Sequence, residues 1–585
     1  GRARYAQLTF RELDALSNRY ANGLSGIGIA RGTRVLVMVR PGVEFVGLVF
    51  ALFKMGAVPI LIDPGMGVKR MLDCIDRVRP EAFVGIPAAH VMRLLKPGSF
   101  RAVREVVTVG RRWFWGGPTL RGLAERASDE FKIVETQAND TAAILFTSGS
   151  TGPAKGVVYE HGMFDAQVRA IQSYYRIEPG EVDLPAFPLF ALFSVAMGMT
   201  AVIPDLDPSR PARVDPAKIV EAVRDHAITN TFGSPALWER VSRYCVERGI
   251  TLPTLRRVLI AGAPVSWQLI ERMHRVLDPS ADVHTPYGAT EALPVSCISG
   301  REVLTECRER TREGAGICVG RPLPGITLKL IRVTDEPIET WSDDLVVPDG
   351  QIGEMVVRGE VVTKEYAGLP EATAAAKIAG SEFKVQSSKF KVQSSKFKVQ
   401  SSKFKVQSSK FEVQSSRFEV QGSESRAASP APSSEQEPSG FDFRCFGVST
   451  FLWHRMGDVG YLDEVGRLWF CGRKAERVTT AQGTLYTVPC EAIFNEHPDV
   501  YRSALVGVGP AGEQEPVIVV EPEPGKFPSG LRMLEFWEEL LELGRAHDLT
   551  RAITVVLFHP AFPVDVRHNA KIDRQALAIW AAGQL

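Results

Sequence analysis

The chain has 585 residues, of which 45% are hydrophobic and 23% charged, and its formal net charge is +1. This length exceeds what one hydrophobic core organises, so we expect at least two domains of a globular enzyme. The near-zero charge gives no reason to expect nucleic acid or an acidic membrane surface as a partner. The charge is unevenly placed, because residues 383–421 hold eight Lys, one Arg and two Glu.

Short β-rich runs alternate with amphipathic helical patterns over residues 8–379. The clearest strand-like runs are residues 34–39, 57–62, 258–260, 327–333 and 352–358. Strands that alternate with helices predict layered α/β subdomains with parallel sheet. The last two runs indicate a β-rich subdomain, and mixed helix and strand patterns from residue 453 onward predict a small C-terminal domain.

One apolar segment has the length of a membrane span. Residues 184–204 (LPAFPLFALFSVAMGMTAVIP) carry no charge, as a transmembrane helix would. Pro185, Pro188 and Pro204, together with the soluble-looking sequence on both sides, favour a helix buried beside an apolar substrate pocket. We therefore do not expect an integral membrane protein.

Residues 380–440 differ in composition from the rest of the chain. Copies of FKVQSSK place a phenylalanine every seven residues, at Phe383, Phe390, Phe397, Phe404, Phe411 and Phe418. The apolar residues stand at i and i+2, so they form no coiled-coil stripe. We predict a disordered, exposed insertion, with a basic tether that binds partners as the functional alternative.

The cysteines indicate a reducing compartment. Eight are scattered along the chain and no pair has the spacing of a zinc site or redox motif, so we expect reduced, mostly buried thiols in a cytoplasmic protein. The chain begins GRARYAQLTF, with neither an initiator Met nor a signal-peptide pattern. We expect that some N-terminal residues precede this sequence.

A glycine-rich loop at residues 147–156 (TSGSTGPAKG) follows a strand-like apolar run at residues 142–146. Glycines let the backbone approach a ligand closely, while hydroxyls and an ammonium can hold phosphate. The loop lacks the Walker pattern, and taken alone it fits a flexible turn equally well. The candidate phosphate-binding residues are Thr147, Ser148, Gly149, Ser150, Thr151, Gly152 and Lys155.

A second motif, YGATEA, stands at residues 287–292 after a strand-like run. A tyrosine offers a flat face to a purine, a threonine offers a hydroxyl, and a glutamate is an oxygen ligand for Mg²⁺. The candidate nucleotide-binding residues here are Tyr287, Gly288, Thr290 and Glu291, the last also as the metal ligand.

Three charged residues complete the candidate site. Asp458 lies in RMGDVGYLDE, in a predicted glycine-flanked turn where its carboxylate can accept both ribose hydroxyls. Arg473 follows and suits ribose or phosphate, and Lys571 lies in RHNAKIDR on a polar loop. Each alone is unremarkable, because an Asp in a turn is commonly a cap and a surface Lys is commonly solvated.

In this order the motifs resemble those of the adenylate-forming superfamily of acyl-CoA synthetases, nonribosomal-peptide adenylation domains and luciferases. The resemblance implies ATP and Mg²⁺ as cofactors. It also implies a large N-terminal domain, at residues 1–379 and 441–471, interrupted by the insertion at residues 380–440. A small mobile C-terminal α+β domain would follow at residues 472–585, with the site between the two domains.

The resemblance also implies roles. Residues 147–155 would hold the β- and γ-phosphates, and Tyr287 would pack on adenine. Thr290 would contact the α-phosphate and Glu291 would bind Mg²⁺.

On the ribose side, Asp458 would bind the sugar with Arg473 nearby. Lys571 matches the catalytic lysine that bridges the substrate carboxylate and the α-phosphate during adenylation. Together with Thr290 and Glu291 it forms the candidate catalytic set.

Longer stretches, such as YGATEALPVSCIS and WHRMGDVGYLDE, are most similar to the β-lactone synthetases of bacterial long-chain olefin biosynthesis. That resemblance implies adenylation of a long-chain 2-alkyl-3-hydroxy acid, followed by attack of its own 3-hydroxyl to give a β-lactone. No CoA is needed, which agrees with Ala475 at a hinge position that is commonly Asp or Lys. The resemblance also allows assembly with other olefin-biosynthesis enzymes.

Two alternatives stay open at this level. A long-chain fatty acyl-CoA ligase would form the same acyl-AMP and would differ in requiring CoA. A non-catalytic scaffold, whose residues 383–421 recruit partners, is opposed by the intact set of Glu291, Asp458, Arg473 and Lys571.

Overall fold

A computed structural model describes residues 5–147, 154–187, 189–207, 210–380, 452–564 and 572–585. Several sequence predictions fall outside these ranges and stay predictions. They concern the repeats within residues 381–451 and the site residues Ser148, Gly149, Ser150, Thr151, Gly152 and Lys571.

A mostly parallel sheet forms the first layer. Its strands are β1 (Arg34–Met38), β2 (Val58–Ile62), β3 (Ala82–Gly85), β4 (Glu105–Thr108), β5 (Thr141–Thr147) and β6 (Lys155–Glu160). They lie in the order β4-β3-β1-β2-β5-β6, and only the pair β5 and β6 is antiparallel among them. β5 therefore ends, and β6 begins, at the two limits of the predicted phosphate loop.

Helices cover both faces of this sheet. They are α1 (Phe10–Ser25), α2 (Val43–Lys54), α3 (Val68–Val78), α4 (Pro87–Leu95), α5 (Leu120–Ala124) and α6 (His161–Tyr175). Because successive strand residues point to opposite faces, Val35 and Val37 pack with Leu48 on α2, whereas Leu36 packs with Ile75 on α3. The predicted α/β layering is confirmed here.

The second sheet joins a parallel half to an antiparallel half. Its strands are β7 (Val182–Pro185), β8 (Thr200–Ala201), β9 (Asn230–Gly233), β10 (Arg257–Ile260), β11 (Asp282–Ala289), β12 (Ala292–Ser299), β13 (Ile317–Pro322), β14 (Thr327–Ile331), β15 (Gly353–Arg358), β16 (Lys377–Ala379), β17 (Leu452–Leu462) and β18 (Leu468–Arg473). Strands β7 to β11 pair in parallel. The antiparallel half, β11 to β18, contains the predicted β-rich subdomain.

Seven further α-helices accompany this sheet in the described part of the chain. They are α7 (Phe190–Ala196), α8 (Pro216–Asp225), α9 (Pro235–Glu247), α10 (Trp267–Val276), α11 (Gly300–Glu302), α12 (Arg308–Arg312) and α13 (Pro370–Ala376). The buried side chains of α8, α9 and α10 pack on the parallel half in one core that includes Trp238.

The apolar segment at residues 184–204 does not form the single long helix that its composition predicted. It comprises the end of β7, the seven-residue α7 and the short β8. Pro185 closes a strand that pairs with β9, and Gly198, with φ of 78°, ends α7 in the left-handed conformation that favours glycine. Across the described residues, no helix combines the length and apolarity needed to cross a membrane.

The C-terminal elements enclose apolar cores of their own. They are β19 (Val478–Thr480), β20 (Gly483–Leu485), α14 (Thr487–Phe494), β21 (Val500–Val508), β22 (Glu515–Pro522), α15 (Leu531–Arg545), β23 (Val555–Phe558) and α16 (Arg574–Ala582). Leu505 packs with Phe536 on one face of the sheet, and Ala504 packs with Leu577 on the other. This fits an α+β unit, although its limits at residues 472–585 stay a prediction.

A buried ion-pair cluster ties α16 to the start of this unit. The Arg574 guanidinium lies 2.5 Å from Glu491 and 3.0 Å from Glu476, and burial raises the pKa of Glu491 against the opposing effect of Arg574. Removing one member of such a pair leaves uncompensated buried charge.

We expect Arg574→Met to lower the free energy of unfolding by about 3–5 kcal/mol, measured by urea titration and by the melting temperature. Arg551 is the matched control, because its pair with Asp548 is exposed. Arg551→Met should change stability by less than about 0.5 kcal/mol. Equal, small changes in the two variants would contradict the structural role of Arg574.

Candidate active site

The YGATEA motif forms a β-hairpin. Its first residues extend β11, Thr290 and Glu291 form the two-residue turn, and Ala289 pairs with Ala292 at the start of β12. A Cβ added at Gly288 would lie only 2.8 Å from the Ala292 carbonyl oxygen, so close approach of the two strands requires glycine there. The hairpin places Thr290 and Glu291 together at its tip.

Asp458 lies inside the long strand β17, and the predicted turn is wrong. The register between β15 and β17 shifts opposite this point, and the preceding Gly457 has φ of 67°. A bulge of this kind re-aims a side chain without ending the strand. The glycines that suggested a turn therefore belong to a β-bulge, and the Asp458 side chain is buried.

Tyr287, Asp458 and Arg473 come together in the structure. The Tyr287 hydroxyl donates to Asp458 Oδ2 at 2.6 Å, and Arg473 lies 3.1 Å from Oδ1. Burial, and then the Asp458 charge, raises the pKa of Tyr287 well above its ordinary value. The same carboxylate raises the pKa of Arg473, so the group is a neutral phenol beside an ion pair.

Glu291 is held by two residues of the segment after β15. Its carboxylate Oε1 accepts the Tyr366 hydroxyl at 2.8 Å. Its backbone carbonyl accepts both the N–H and the hydroxyl of Thr363, at 2.9 and 3.0 Å. Burial and the Glu291 charge raise the pKa of Tyr366, so this phenol stays a donor.

Lys155 and Glu291 share Tyr366 as a neighbour. Lys155 Nζ lies 4.8 Å from the Tyr366 ring centroid, a cation–π contact. The Ala367 N–H donates to the Gly156 carbonyl at 2.7 Å. The structure thus brings the end of the glycine-rich loop to the predicted metal ligand, 136 residues apart in sequence.

Lys377 is a buried cation that the sequence patterns did not reveal. Its ammonium donates to the Thr363 carbonyl, and burial lowers its pKa to about 7. The paired strand residue His454 has its pKa held well below the ordinary range by burial and then by Lys377. Thr363, Tyr366 and Lys377 belong to no recognisable motif, and they follow the β-rich run at residues 352–358.

Seven of the eight predicted site residues that the structure describes line one large cleft of about 2940 Å³. Those placed in it are Lys155, Tyr287, Gly288, Thr290, Glu291, Asp458 and Arg473. The structure describes the backbone of Thr147 as the end of β5. Ile572, the residue after Lys571, also lines this cleft.

The sequence profile of AMP-binding enzymes matches residues 2–367, which hold the glycine-rich loop, YGATEA and Tyr366. The chain belongs to the AMP-binding enzyme family. It is an adenylate-forming enzyme of the ligase and synthetase class, and it uses ATP.

Two relatives of this AMP-binding enzyme span almost the whole chain. It is 44% identical to the "Olefin beta-lactone synthetase" of Stenotrophomonas maltophilia (strain K279a), over 99% of this chain and 92% of the relative. It is 43% identical to the protein of the same name in Xanthomonas campestris pv. campestris, over 99% and 91%. A long-chain-fatty-acid–CoA ligase of Thermus thermophilus is 25% identical over 63% of this chain and 66% of the relative.

Solved structures share the fold. ATP-bound MatB from Rhodopseudomonas palustris has a TM-score of 0.70 at 20% identity, with 99% of this chain and 94% of that one covered. The amide bond synthetase McbA from Marinactinospora thermotolerans has a TM-score of 0.70 at 21% identity, with 98% and 95% covered. At this identity the likeness establishes the fold alone.

The cleft also has an apolar side. Phe190 stacks on Phe232 with ring centroids 3.9 Å apart, and Phe187 and Phe193 lie beside it. All four rings line the cleft, whereas Ala191 and Ser194 of α7 are buried away from it. This short helix therefore has a buried face and a face that lines the cleft.

Glu291 offers a single carboxylate to Mg²⁺ in this cleft. Among the described residues, no three His, Cys, Asp or Glu side chains form a cluster that could hold a metal ion. Mg²⁺ in nucleotide sites binds through one or two carboxylates together with substrate phosphates. A single carboxylate such as Glu291 beside Lys155 fits that arrangement, in which phosphates complete the coordination.

Ala475 lies between two residues that are held by different elements of the fold. Lys474 lies 3.3 Å from Glu354 on β15, while Glu476 pairs with Arg574 on α16. A residue whose neighbours are fixed to different units is where a domain rotation would concentrate its backbone change. The hinge role that the superfamily resemblance implied for Ala475 stays a prediction.

Proposed function

We propose that this enzyme adenylates a long-chain 2-alkyl-3-hydroxy acid and converts the acyl-AMP into a β-lactone in olefin biosynthesis. The observation that carries this proposal is the 44% identity to an olefin beta-lactone synthetase over 99% of the chain. The acyl-CoA ligase relative matches only 63% of the chain, at 25% identity. The likeness to the lactone synthetases therefore includes the C-terminal part, which closes on the reacting groups in the superfamily the chain resembles.

The nucleotide would lie between the hairpin and β17. Tyr287 packs against adenine, and Asp458 accepts the ribose hydroxyls while Arg473 balances its charge. Thr290 contacts the α-phosphate. The β- and γ-phosphates are held by Thr147, Ser148, Gly149, Ser150, Thr151, Gly152 and Lys155. The contacts that support this assignment are the buried Tyr287–Asp458 hydrogen bond and the Asp458–Arg473 pair.

Glu291 is the proposed Mg²⁺ ligand, and Mg²⁺ when bound neutralises phosphate charge during the transfer. Tyr366 orients the Glu291 carboxylate through a 2.8 Å hydrogen bond. Partners that orient a metal ligand typically change metal affinity 10- to 100-fold when they are removed.

We therefore expect Tyr366→Phe to raise the Mg²⁺ concentration for half-maximal pyrophosphate exchange about tenfold, with little change in kcat at saturating Mg²⁺. Tyr461→Phe is the control, because Tyr461 is a partly buried tyrosine that does not line the cleft. An unchanged Mg²⁺ requirement in Tyr366→Phe would speak against Glu291 as the ligand.

The second step needs no external acceptor. The 3-hydroxyl oxygen forms a bond to the acyl carbonyl carbon, the bond from that carbon to the AMP oxygen breaks, and the hydroxyl proton passes to solvent or a nearby base. The attacking oxygen is already held near the carbonyl within one molecule, so positioning supplies much of the rate. The phenylalanines around Phe190 would hold the alkyl chains and exclude water.

The direct test is incubation with ATP, Mg²⁺ and a synthetic 2-alkyl-3-hydroxy acid without CoA, followed by measurement of the product mass. We expect a product with the mass of the substrate minus water. The matched substrate control is the same 2-alkyl acid without the 3-hydroxyl, which should give pyrophosphate and acyl-AMP but no dehydrated product.

Each other outcome has a defined meaning. If hydroxyacyl-AMP were the final product, the proposed adenylation would stand and the proposed lactone formation would be contradicted. A thioester that forms only after CoA is added would instead identify a long-chain fatty acyl-CoA ligase.

A further inference from the structure

Two neighbouring elements at one edge of the first sheet expose large apolar side chains that the nucleotide chemistry does not use. They are α4 and the loop at residues 109–118 that follows β4. Their apolar patch consists of Leu94, Leu95, Trp113 and Phe114, whose exposed fractions are 41%, 72%, 52% and 82%. Grouped exposure of side chains this large marks an interaction surface.

The loop holds its aromatic residues in a fixed place. Trp115 is buried, its indole N–H donates to the Thr108 hydroxyl at 2.9 Å, and its ring stacks on His90 with centroids 5.0 Å apart. Because Trp115 is anchored in this way, the two preceding aromatic residues project outward from a defined base. The anchored conformation of the loop therefore fixes the exposure of Trp113 and Phe114.

The helix and the loop form one continuous surface. Trp113 lines a shallow groove together with Pro87 and Val91 of α4. Leu94 and Leu95 follow Val91 by three and four residues, so they lie on the same helix face. The patch thus extends from the loop along the outer side of α4.

Basic residues flank this patch along the chain. Residues 86–119 contain five Arg and one Lys but a single Glu. Lys96, Arg111 and Arg112 are adjacent to the patch and exposed, and none of them has an ion-pair partner among the described residues. The whole-chain net charge of +1, which gave no reason to expect an acidic surface as partner, conceals this local excess.

We propose that the apolar patch, with Lys96, Arg111 and Arg112, docks the enzyme on the surface of an anionic lipid membrane. Tryptophan and phenylalanine prefer the boundary between headgroups and acyl chains, and lysine and arginine are attracted by anionic headgroups. A basic rim around an apolar centre is the combination that gives stable peripheral binding. A docked chain of this kind lies on the membrane and does not span it.

The patch lies next to one edge of the large cleft. Arg40 and Ile86 line both the groove beside Trp113 and the large cleft. A docked enzyme would therefore bring an edge of its cleft to the lipid surface, where water-insoluble acyl substrates accumulate. Docking goes beyond the proposed lactone chemistry and does not depend on it, because it requires no reaction.

The test is co-sedimentation of the full chain with phosphatidylcholine vesicles, with and without phosphatidylglycerol. We expect binding to the anionic vesicles, and Trp113→Ser with Phe114→Ser should raise the lipid concentration for half-maximal binding at least about tenfold. Arg111→Gln with Arg112→Gln should weaken binding to the anionic vesicles and reduce its salt dependence. Melting temperature, and pyrophosphate exchange with a soluble short-chain acid, should stay unchanged in both double variants.

The matched control is Leu531→Ser with Leu534→Ser, since these leucines are exposed to 78% and 61% on α15, and their loss should leave binding unchanged. Wild-type chain that stays in solution with anionic vesicles overturns the proposal. So does binding that persists without Trp113 and Phe114, as would occur if the basic residues 383–421 carried it. Self-association abolished by the same double substitution would assign the patch to protein contacts and would equally overturn the proposal.

Discussion

Asp458→Asn is expected to reduce kcat/KM for ATP by about 100- to 1,000-fold. The Asp458 carboxylate is buried between the Tyr287 hydroxyl and Arg473. An asparagine would leave the arginine beside it without a counter-charge and would lose the proposed acceptor for the ribose hydroxyls. A hydrogen bond to a charged group contributes about 1.5–3 kcal/mol, so loss of the two ribose hydrogen bonds accounts for about 3–4 kcal/mol, and each 1.4 kcal/mol corresponds to tenfold.

A second buried aspartate, Asp463, directly follows the same strand and provides the control for this experiment. Asp463 pairs with Arg467 at 2.8 Å and accepts the Trp469 indole N–H at 2.9 Å, but it does not line the cleft. Asp463→Asn should lower the melting temperature and leave kcat/KM for ATP close to the wild-type value in the surviving folded protein. Asp458→Asn with wild-type ATP kinetics would remove Asp458 from the proposed nucleotide site.

Lys571→Ala is expected to abolish adenylation, a loss of at least about 1,000-fold in pyrophosphate exchange, while ATP binding is kept. Attack of a carboxylate on the α-phosphate brings two anions together, so a positioned ammonium stabilises the transition state far more than the bound nucleotide. The measurements are pyrophosphate exchange and ATP binding by calorimetry. Ile572 lines the cleft, which supports the assignment of its neighbour.

Lys526 is the matched control for this lysine. It is a half-exposed residue that pairs with Asp499 at 2.6 Å in the same C-terminal part of the chain, and Lys526→Ala should leave pyrophosphate exchange unchanged. Unchanged pyrophosphate exchange in Lys571→Ala would contradict the assignment of Lys571 as the catalytic lysine. If ATP binding were lost together with exchange, Lys571 would be assigned to binding of ATP in the ground state and not to stabilisation of the transition state.

The fold class could be predicted because it rests on local periodicity. Alternating strand and helix patterns predicted the α/β layers, and strands such as β1 and β2 lie close to the expected residues. The prediction failed at residues 184–204, where apolar composition is compatible with a long helix, a strand or a substrate wall. There, pairing of Val182–Pro185 with β9 decided the outcome, and pairing between distant strands leaves little trace in local sequence.

The candidate site was likewise predicted in part. Motif order identified Tyr287, Glu291, Asp458 and Arg473, and the structure brings Tyr287, Asp458 and Arg473 into contact. The backbone conformation at Asp458 was predicted wrongly, because glycines beside an aspartate are compatible with a turn and with a β-bulge.

The sequence by itself determined the kind of enzyme, because loops that bind phosphate and turns that hold carboxylates need particular residue types at particular spacings. Only the tertiary structure decided which side chains orient those residues. Tyr366 meets Glu291 across 75 residues, Lys377 meets Thr363, and Trp115 fixes the exposed aromatic loop. Such contacts depend on how distant segments pack, and a tyrosine or lysine has the same local signature whether it supports a metal ligand or faces water.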